Sequence, residues 1–296
     1  MKYGRVDDTD GIDFGIPADD TGTGRILANA SGGGFTAFVG CAKWGRNDLK
    51  GFYPRGTKDE LTYYSQQFNS IEMNSLFYNM PKADQVVKWK NRTPDGFRFF
   101  PKINQVISHT RRLENVEDLT TAYCDAIAHF EEKLGCCFLQ LHENFGPKRY
   151  DKLKAFIASF PEVIPLAVEV RGREWFSDKA VWNDYCNFLE GRKISNVIVD
   201  TAGRRDMLHM RLTTPNAFIR FVGCNVDEID LKRIDGWVDR IEKWYGKGLR
   251  QLNFFVHQNV EVSSPLLSAY LIKKLNQRLN LGLHVPQTAG GQILFS

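Results

Sequence analysis

Eight short, apolar, strand-like runs recur along this chain, and nearly every one ends in a polar or charged residue: Glu72, Lys102, His142, Arg171, Asp200, Arg220 and His257 among them. Helical patterns lie between most of the runs. Alternation of this kind feeds parallel strands through crossover helices, which predicts an α/β fold, a (β/α)8 TIM-like barrel. In that architecture chemistry gathers at the carboxyl ends of the strands, where these residues fall.

The strand runs are AFVGC from Phe38, SIEMN, FRFFPK, CCFLQLH, PLAVEVR, SNVIVD, AFIRFVG and QLNFFVHQN. Helical patterns are expected over 57–68, 83–91, 116–133, 150–160, from the cap Asp178 to Glu190, over 230–244 and over 265–279. Between the sixth and seventh runs, TAGRRDMLHMRLTTP is too short and irregular for a long helix, so one barrel helix is expected to be degenerate. Residues 1–35, with TGTG and SGGG, read as a loosely ordered N-terminal arm, 36–285 as a single barrel domain and 286–296 as a C-terminal tail. The glycines of the arm do not make a phosphate loop, because no Gly-Lys-Ser/Thr follows them and no strand precedes them.

At 296 residues the chain has the length of one barrel. It is 43% hydrophobic and 25% charged, has no run long enough to span a membrane and shows no secretory or transit signal, which reads as a cytoplasmic protein. Its six cysteines form no Cys-x-x-Cys pair, so buried reduced thiols are expected rather than a zinc ribbon or a disulfide framework. A net charge of +4 allows an anionic partner without requiring one.

Side chains alternate across a strand, so parity selects those that look into the barrel. This groups Ala167, Glu169 and Arg171; Phe138, Gln140 and His142; Glu72 and Asn74; Phe100 and Lys102; and Phe255, His257 and Asn259. With Asp200 and Arg220 at the ends of their own runs, three carboxylates and three fixed cations are expected to converge, with imidazoles at His142 and His257. Burying so many charges costs more than apolar packing would, which favours a binding site over a structural plug of ion pairs. Lys43, Arg46, Arg204, Arg205 and Arg211 in nearby loops add to the cations, and guanidinium forks suit phosphate or carboxylate.

Three chemistries fit these residues. Glu169 and Glu72 suit general acid/base work, Lys102 suits either a Schiff-base nucleophile or an anion clamp, and His142, Glu169, Asp200 and His257 could chelate a divalent metal. No His-x-His or HExxH spacing supports the metal, and no cofactor is expected. Trp44, Phe52, Tyr53, Phe77, Tyr78, Phe145, Trp175 and Phe176 crowd the loops, either to stack on a ligand or to pack over the barrel.

The motifs GCAKW (40–44), FYP (52–54), IEMNSLFY (71–78), the stretch Trp89 to Pro94, FRFFPK (97–102), SH (108–109), FLQLHENF (138–145) and AVEVR (167–171), with Trp175, Asp200 and Arg220, occur in order. This pattern resembles the YecE-like family, domain of unknown function 72, over about residues 36–285. The resemblance implies a TIM-like barrel with a pocket at its carboxyl face, no established activity, and a likeness to endonuclease IV at the level of fold. The chain lacks the dense His and acidic ligands of a trinuclear zinc site. It also ends its eighth strand FFVHQN, where the family more often shows a Tyr-Phe-Asn-Asn type end.

The favoured expectation is a metal-free acid/base enzyme, of hydrolase or lyase type, acting on a phosphorylated or carboxylated small molecule. Glu169, Glu72 and His142 are the candidate catalytic residues. Lys102, Arg171, Arg220, Asp200, Trp44, Asn74, Tyr78, Gln140, Asn144, Trp175, His257 and Asn259 are the candidate ligand-binding residues. The alternatives are a nucleic-acid-binding or processing protein and a non-catalytic binding scaffold. Salt dependence separates the first from the enzyme reading, since contact with many phosphates weakens steeply with ionic strength.

Overall fold

All eight expected strands form: β1 (Thr36–Cys41), β2 (Ser70–Met73), β3 (Arg98–Pro101), β4 (Cys137–Gln140), β5 (Leu166–Glu169), β6 (Ser195–Thr201), β7 (Asn216–Val222) and β8 (Gln251–His257). The structure is a computed structural model that describes residue 6 and residues 8–30 and 32–287. The expected C-terminal tail lies outside the described residues from 288 onward. The helices are α1 (Thr21–Ala28), α2 (Glu60–Gln67), α3 (Ser75–Tyr78), α4 (Ala83–Asn91), α5 (Glu117–Ala128), α6 (Tyr150–Ser159), α7 (Glu174–Ser177), α8 (Lys179–Gly191), α9 (Asp227–Gly246) and α10 (Ser264–Leu279). Asp178 caps α8, accepting from the amides of Ala180 and Val181 at 2.8 and 3.2 Å.

The expectation of a closed (β/α)8 barrel is corrected by the pairing. Parallel ladders run through six strands in the order β1-β8-β7-β6-β5-β4, and β2-β3 is a separate pair. Two seams lie between the sheets, and each has a chemical cause. At the β1/β2 seam side chains replace the ladder: Asn69 accepts from the Val39 amide and donates to the Ala37 carbonyl. The Tyr64 hydroxyl likewise accepts from the Cys41 amide at 2.7 Å and donates to the Ser70 carbonyl at 3.1 Å. Gly40 permits this approach, because a Cβ there would stand 2.2 Å from the Ser70 carbonyl oxygen. At the β3/β4 seam Pro101 has no N–H to give, and only single bridges form, Phe99 with Leu134 and Lys102 with Phe138.

Alternation along the strands sorts two cores. Ile71, Leu139, Val168, Ile198, Ile219 and Phe254 pack outward under the helices, while Phe100, Phe138, Val197, Val199, Phe218 and Phe255 fill the interior. Four interior phenylalanines touch in series, Phe100 to Phe255 at 4.8 Å, Phe255 to Phe218 at 5.4 Å and Phe218 to Phe138 at 5.3 Å between ring centres. They form an apolar floor beneath the strand ends.

Between β6 and β7 the segment carries only a turn of 3-10 helix, Arg205–Met207, in place of a crossover helix. Helix α1 of the N-terminal arm docks on that segment. Thr23 donates to the Met210 carbonyl at 2.8 Å and accepts from the Leu212 amide at 2.9 Å. Arg25 reaches Glu190 of α8, and Asp19, just ahead of α1, accepts from Arg240 and Trp244 of α9. No described helix is long and apolar enough to cross a membrane.

Candidate functional site

Directly above the phenylalanine floor, the ends of β2, β5 and β7 bring Glu72, Glu169 and Arg220 together, all three buried. Arg220 grips Glu72 with two parallel bonds, Nε to Oε2 at 2.8 Å and Nη2 to Oε1 at 2.9 Å, and reaches Glu169 Oε2 through Nη1 at 2.8 Å. This guanidinium bonds across the two sheets, since β7 lies in the larger and β2 in the smaller. Around it, Asn74 donates to Glu72 Oε1 at 2.9 Å, His257 Nε2 lies 3.0 Å from Glu72 Oε2, and Arg171 Nε donates to Glu169 Oε1 at 2.5 Å.

Gln140 links this cluster to Lys102. Its side-chain amide donates to Glu169 Oε1 at 2.9 Å, which leaves its carbonyl oxygen to accept from Lys102 Nζ at 2.9 Å. The same Nζ sits 3.9 Å over the face of Phe77. No carboxylate stands within ion-pair distance of Lys102 among the described residues, so two carboxylates here face three cations.

These surroundings push the groups apart in proton affinity. Burial would raise both glutamates, but Arg220 and His257 hold Glu72 well below the ordinary carboxylate range, and Arg171 with Arg220 brings Glu169 to about 2. Burial lowers Lys102, and the Arg220 and Arg171 charges lower it further, to about 7. Arg220 is pushed up, because its two carboxylates outweigh its burial.

A turn of π-helix, Val106–Thr110, follows β3 and carries His109. Its ring meets Phe77 edge-on at 4.9 Å and His142 at 5.3 Å, and Ser108 Oγ lies 2.8 Å from its Nδ1. Burial, then the Lys102 charge, lowers His109 to about 3. In the sequence the Ser-His pair carries no assigned role, and Phe77 stands only among the loop aromatics. The available signal was position, directly after the third strand.

The other expected residues divide. His142 is half-buried at the rim, with its Nδ1 accepting from the Asn144 amide at 3.1 Å. Arg171 and His257 keep 16% and 14% of their side chains exposed, which makes them the edge of the cluster towards solvent. Asp200 does not join them. Parity explains why: Val197 and Val199 point inward, so Asp200 points out, to Arg233, Arg205 and Trp237. Trp175 is buried with its indole N–H on the Phe145 carbonyl at 2.7 Å, and Trp44 packs edge-on against Trp89 at 6.1 Å. Tyr78 is 65% exposed, and Asn259 is exposed beyond the end of β8.

The loop cations are also committed elsewhere. Lys43 pairs with Asp48, Arg46 with Glu60, Arg204 with Asp206, Arg205 with Asp200 and Arg211 with Glu190. Among the described residues no group of three or more His, Cys, Asp or Glu is arranged to hold a metal ion.

Known proteins share this chain's pattern. YecE of Escherichia coli, a UPF0759 protein, is 29% identical over 237 residues, which cover 74% of this chain and 86% of the relative. YunF of Bacillus subtilis, another UPF0759 protein, is 27% identical over 151 residues, 47% of this chain and 52% of the relative. Among solved structures, a DUF72 family protein of Enterococcus faecalis superposes with a TM-score of 0.67 at 19% identity, covering 85% of this chain and 98% of its own. One from Thermotoga maritima superposes with a TM-score of 0.66 at 21% identity, covering 83% and 100%. With the family model described as protein of unknown function DUF72 matching residues 38–290, which include every member of the buried charge cluster, the chain belongs to the DUF72 family.

Proposed function

We propose that this protein is a metal-free acid/base enzyme acting on a small phosphorylated or carboxylated molecule held at the carboxyl ends of its strands. The observation that carries the reading is the charge imbalance of the cluster. Two buried carboxylates face Arg220, Arg171 and Lys102, and Lys102 has no carboxylate of its own among the described residues. An anion entering past Arg171 and His257 supplies the missing charge, and a guanidinium suits phosphate or carboxylate oxygens.

Proton affinity assigns the roles. Glu169, held to about 2, keeps its charge at neutral pH and is a weak base, so it positions Arg171 and Arg220. Glu72 does the same for Arg220 and His257. Lys102, brought to about 7, is poised to exchange a proton near neutrality, and half-buried His142 is the second proton-transfer group at the rim. This reading moves the proton-transfer role from the two glutamates to Lys102.

The test is the thermal midpoint of the purified protein with phosphate, pyruvate, sugar phosphates or short oligonucleotides, since a ligand that prefers the folded state raises it. The expected result is a rise with a small anion that persists at high salt and is lost in Arg171→Ala. A rise only with oligonucleotides, erased by salt, would reverse the conclusion towards nucleic-acid binding.

A further inference from the structure

Lys102 is set differently from every other cation of the cluster. Its Nζ lies at the end of β3 against a neutral carbonyl oxygen and an aromatic face, under the charges of Arg220 and Arg171, which glutamates already engage. A lysine kept only for its charge gains most from a carboxylate partner. This one has been given a neutral acceptor, and that acceptor is locked: Gln140 donates to Glu169, which fixes the direction of its carbonyl towards Nζ.

We propose that Lys102 is a Schiff-base nucleophile, and that the substrate class is a small carbonyl compound bearing a carboxylate or phosphate. The proposal rests on the anion-binding reading above and narrows it. The neutral amine attacks the carbonyl carbon to form a C–N bond, the C=O π electrons move to oxygen, and a proton moves from nitrogen to that oxygen. One further proton, from solvent at the rim, converts the hydroxyl of the carbinolamine to water, which leaves as the C=N bond forms. The product is an iminium with one positive charge and one N–H.

The surroundings of Nζ match each stage. Burial and the flanking guanidiniums disfavour the ammonium and so supply the neutral amine, which is the nucleophilic form. The Phe77 face at 3.9 Å stabilises the cationic iminium, and Gln140 Oε1 accepts its remaining N–H. Arg171, on the solvent side, is placed to take the anionic group that accompanies the carbonyl. Selectivity follows, because an uncharged ketone has nothing for the guanidinium to hold.

Reductive trapping tests this. The whole protein is incubated with pyruvate or glyceraldehyde 3-phosphate and sodium cyanoborohydride, then digested and mapped by mass spectrometry, so wild-type protein reads out the modified residue directly. The expected result is a reduced secondary-amine adduct on Lys102 forming roughly tenfold or more faster than on exposed lysines at neutral pH, where those are almost wholly protonated. Acetone should label Lys102 far more slowly, and Lys102→Met and Lys102→Arg should remove the fast adduct. Adducts spread evenly over surface lysines and unchanged in Lys102→Arg would overturn the proposal. If pyruvate or phosphate raises the thermal midpoint without any adduct at Lys102, the Schiff base fails and anion binding stands; if neither occurs, both fall.

Discussion

Two buried charge clusters sit at strand ends in this molecule, one inside the curve of the sheet and one behind it. The outer cluster joins Asp200 to Arg233, Arg205 and the Trp237 indole, and joins Asp230 to Arg233. It pairs two carboxylates with two guanidiniums, and Arg205 extends it to the arm through the carbonyls of Asp13 and Gly15. Among the described residues the inner cluster has one more cation than carboxylate, and the cation without a carboxylate at ion-pair distance is a lysine rather than an arginine. A balanced cluster has only a scaffold to hold. Desolvating an unbalanced charge costs several kcal/mol, so its persistence favours a ligand or a reaction as the compensating gain.

The sharpest way to break the contrast is at Asp200. Replacing it with alanine leaves Arg233, which is 1% exposed, with half its carboxylate partners, and should cost about 3–5 kcal/mol in urea unfolding. Binding of phosphate at a permissive temperature should not change. A weakened phosphate affinity in the folded variant would mean the two clusters act as one.

Glu169→Gln strikes the inner cluster instead, with an expected loss of about 2–4 kcal/mol at neutral pH, since two guanidiniums lose a buried carboxylate. The sign with pH is fixed. Because the folded protein holds Glu169 at about 2, its contribution is complete above the unfolded carboxylate range near 4.5 and disappears as pH falls towards 2. The wild-type and variant stability curves should therefore converge in acid, and parallel curves down to pH 2 would show that Glu169 is not held charged.

Lys102→Met should move stability the other way, by about 1–2 kcal/mol of stabilisation, because methionine fills the site without a desolvated charge. The folded state binds this proton only below about 7, whereas the unfolded lysine keeps it to about 10.5. Between those values the unfolded chain holds more protons, so wild-type stability rises with pH. The gain from methionine is then largest below pH 7 and shrinks by pH 10. A gain independent of pH would place an ordinary, fully charged lysine in the site.

The legibility of the molecule divides along the same line. Strand existence could be read because each run alternates over a buried face; Glu72, Glu169 and Gln140 followed from parity, and Arg220 from its place near the end of its run. Parity, applied consistently, also excludes Asp200 from that set, since its neighbours Val197 and Val199 face inward. The break of the sheet into two could not be read. One seam is set by Asn69 and Tyr64 reaching to β1 from the β2 side, which are contacts between distant segments, and the other by a proline whose missing N–H matters only once its strand neighbour is known. The loop arginines misled for a related reason: a sequence shows their charge but not the carboxylate each has been given.

The arm offers the smallest and most specific test. Residues 1–35, expected to be loose, contain α1, which occupies the place left by the missing crossover helix between β6 and β7. Asp19 ties its start to α9 through Arg240 at 2.5 Å and Trp244 at 3.0 Å, both partly buried. Asp19→Ala should cost about 1 kcal/mol, the ordinary yield of a charge-assisted bond at a partly wet site. Because α1 would detach more often, limited proteolysis should cut ahead of Thr21 faster than in wild type, while phosphate affinity stays the same. Among the described residues the arm meets Arg205 through Asp13 and Gly15 and Arg233 through Phe14, both cations pair with Asp200, and Asp200 faces away from Lys102, so these contacts open no route from the arm to the inner cluster. Faster cleavage together with weaker phosphate binding would reveal such a route and remove the distinction between a cluster that holds the scaffold and one that holds a ligand.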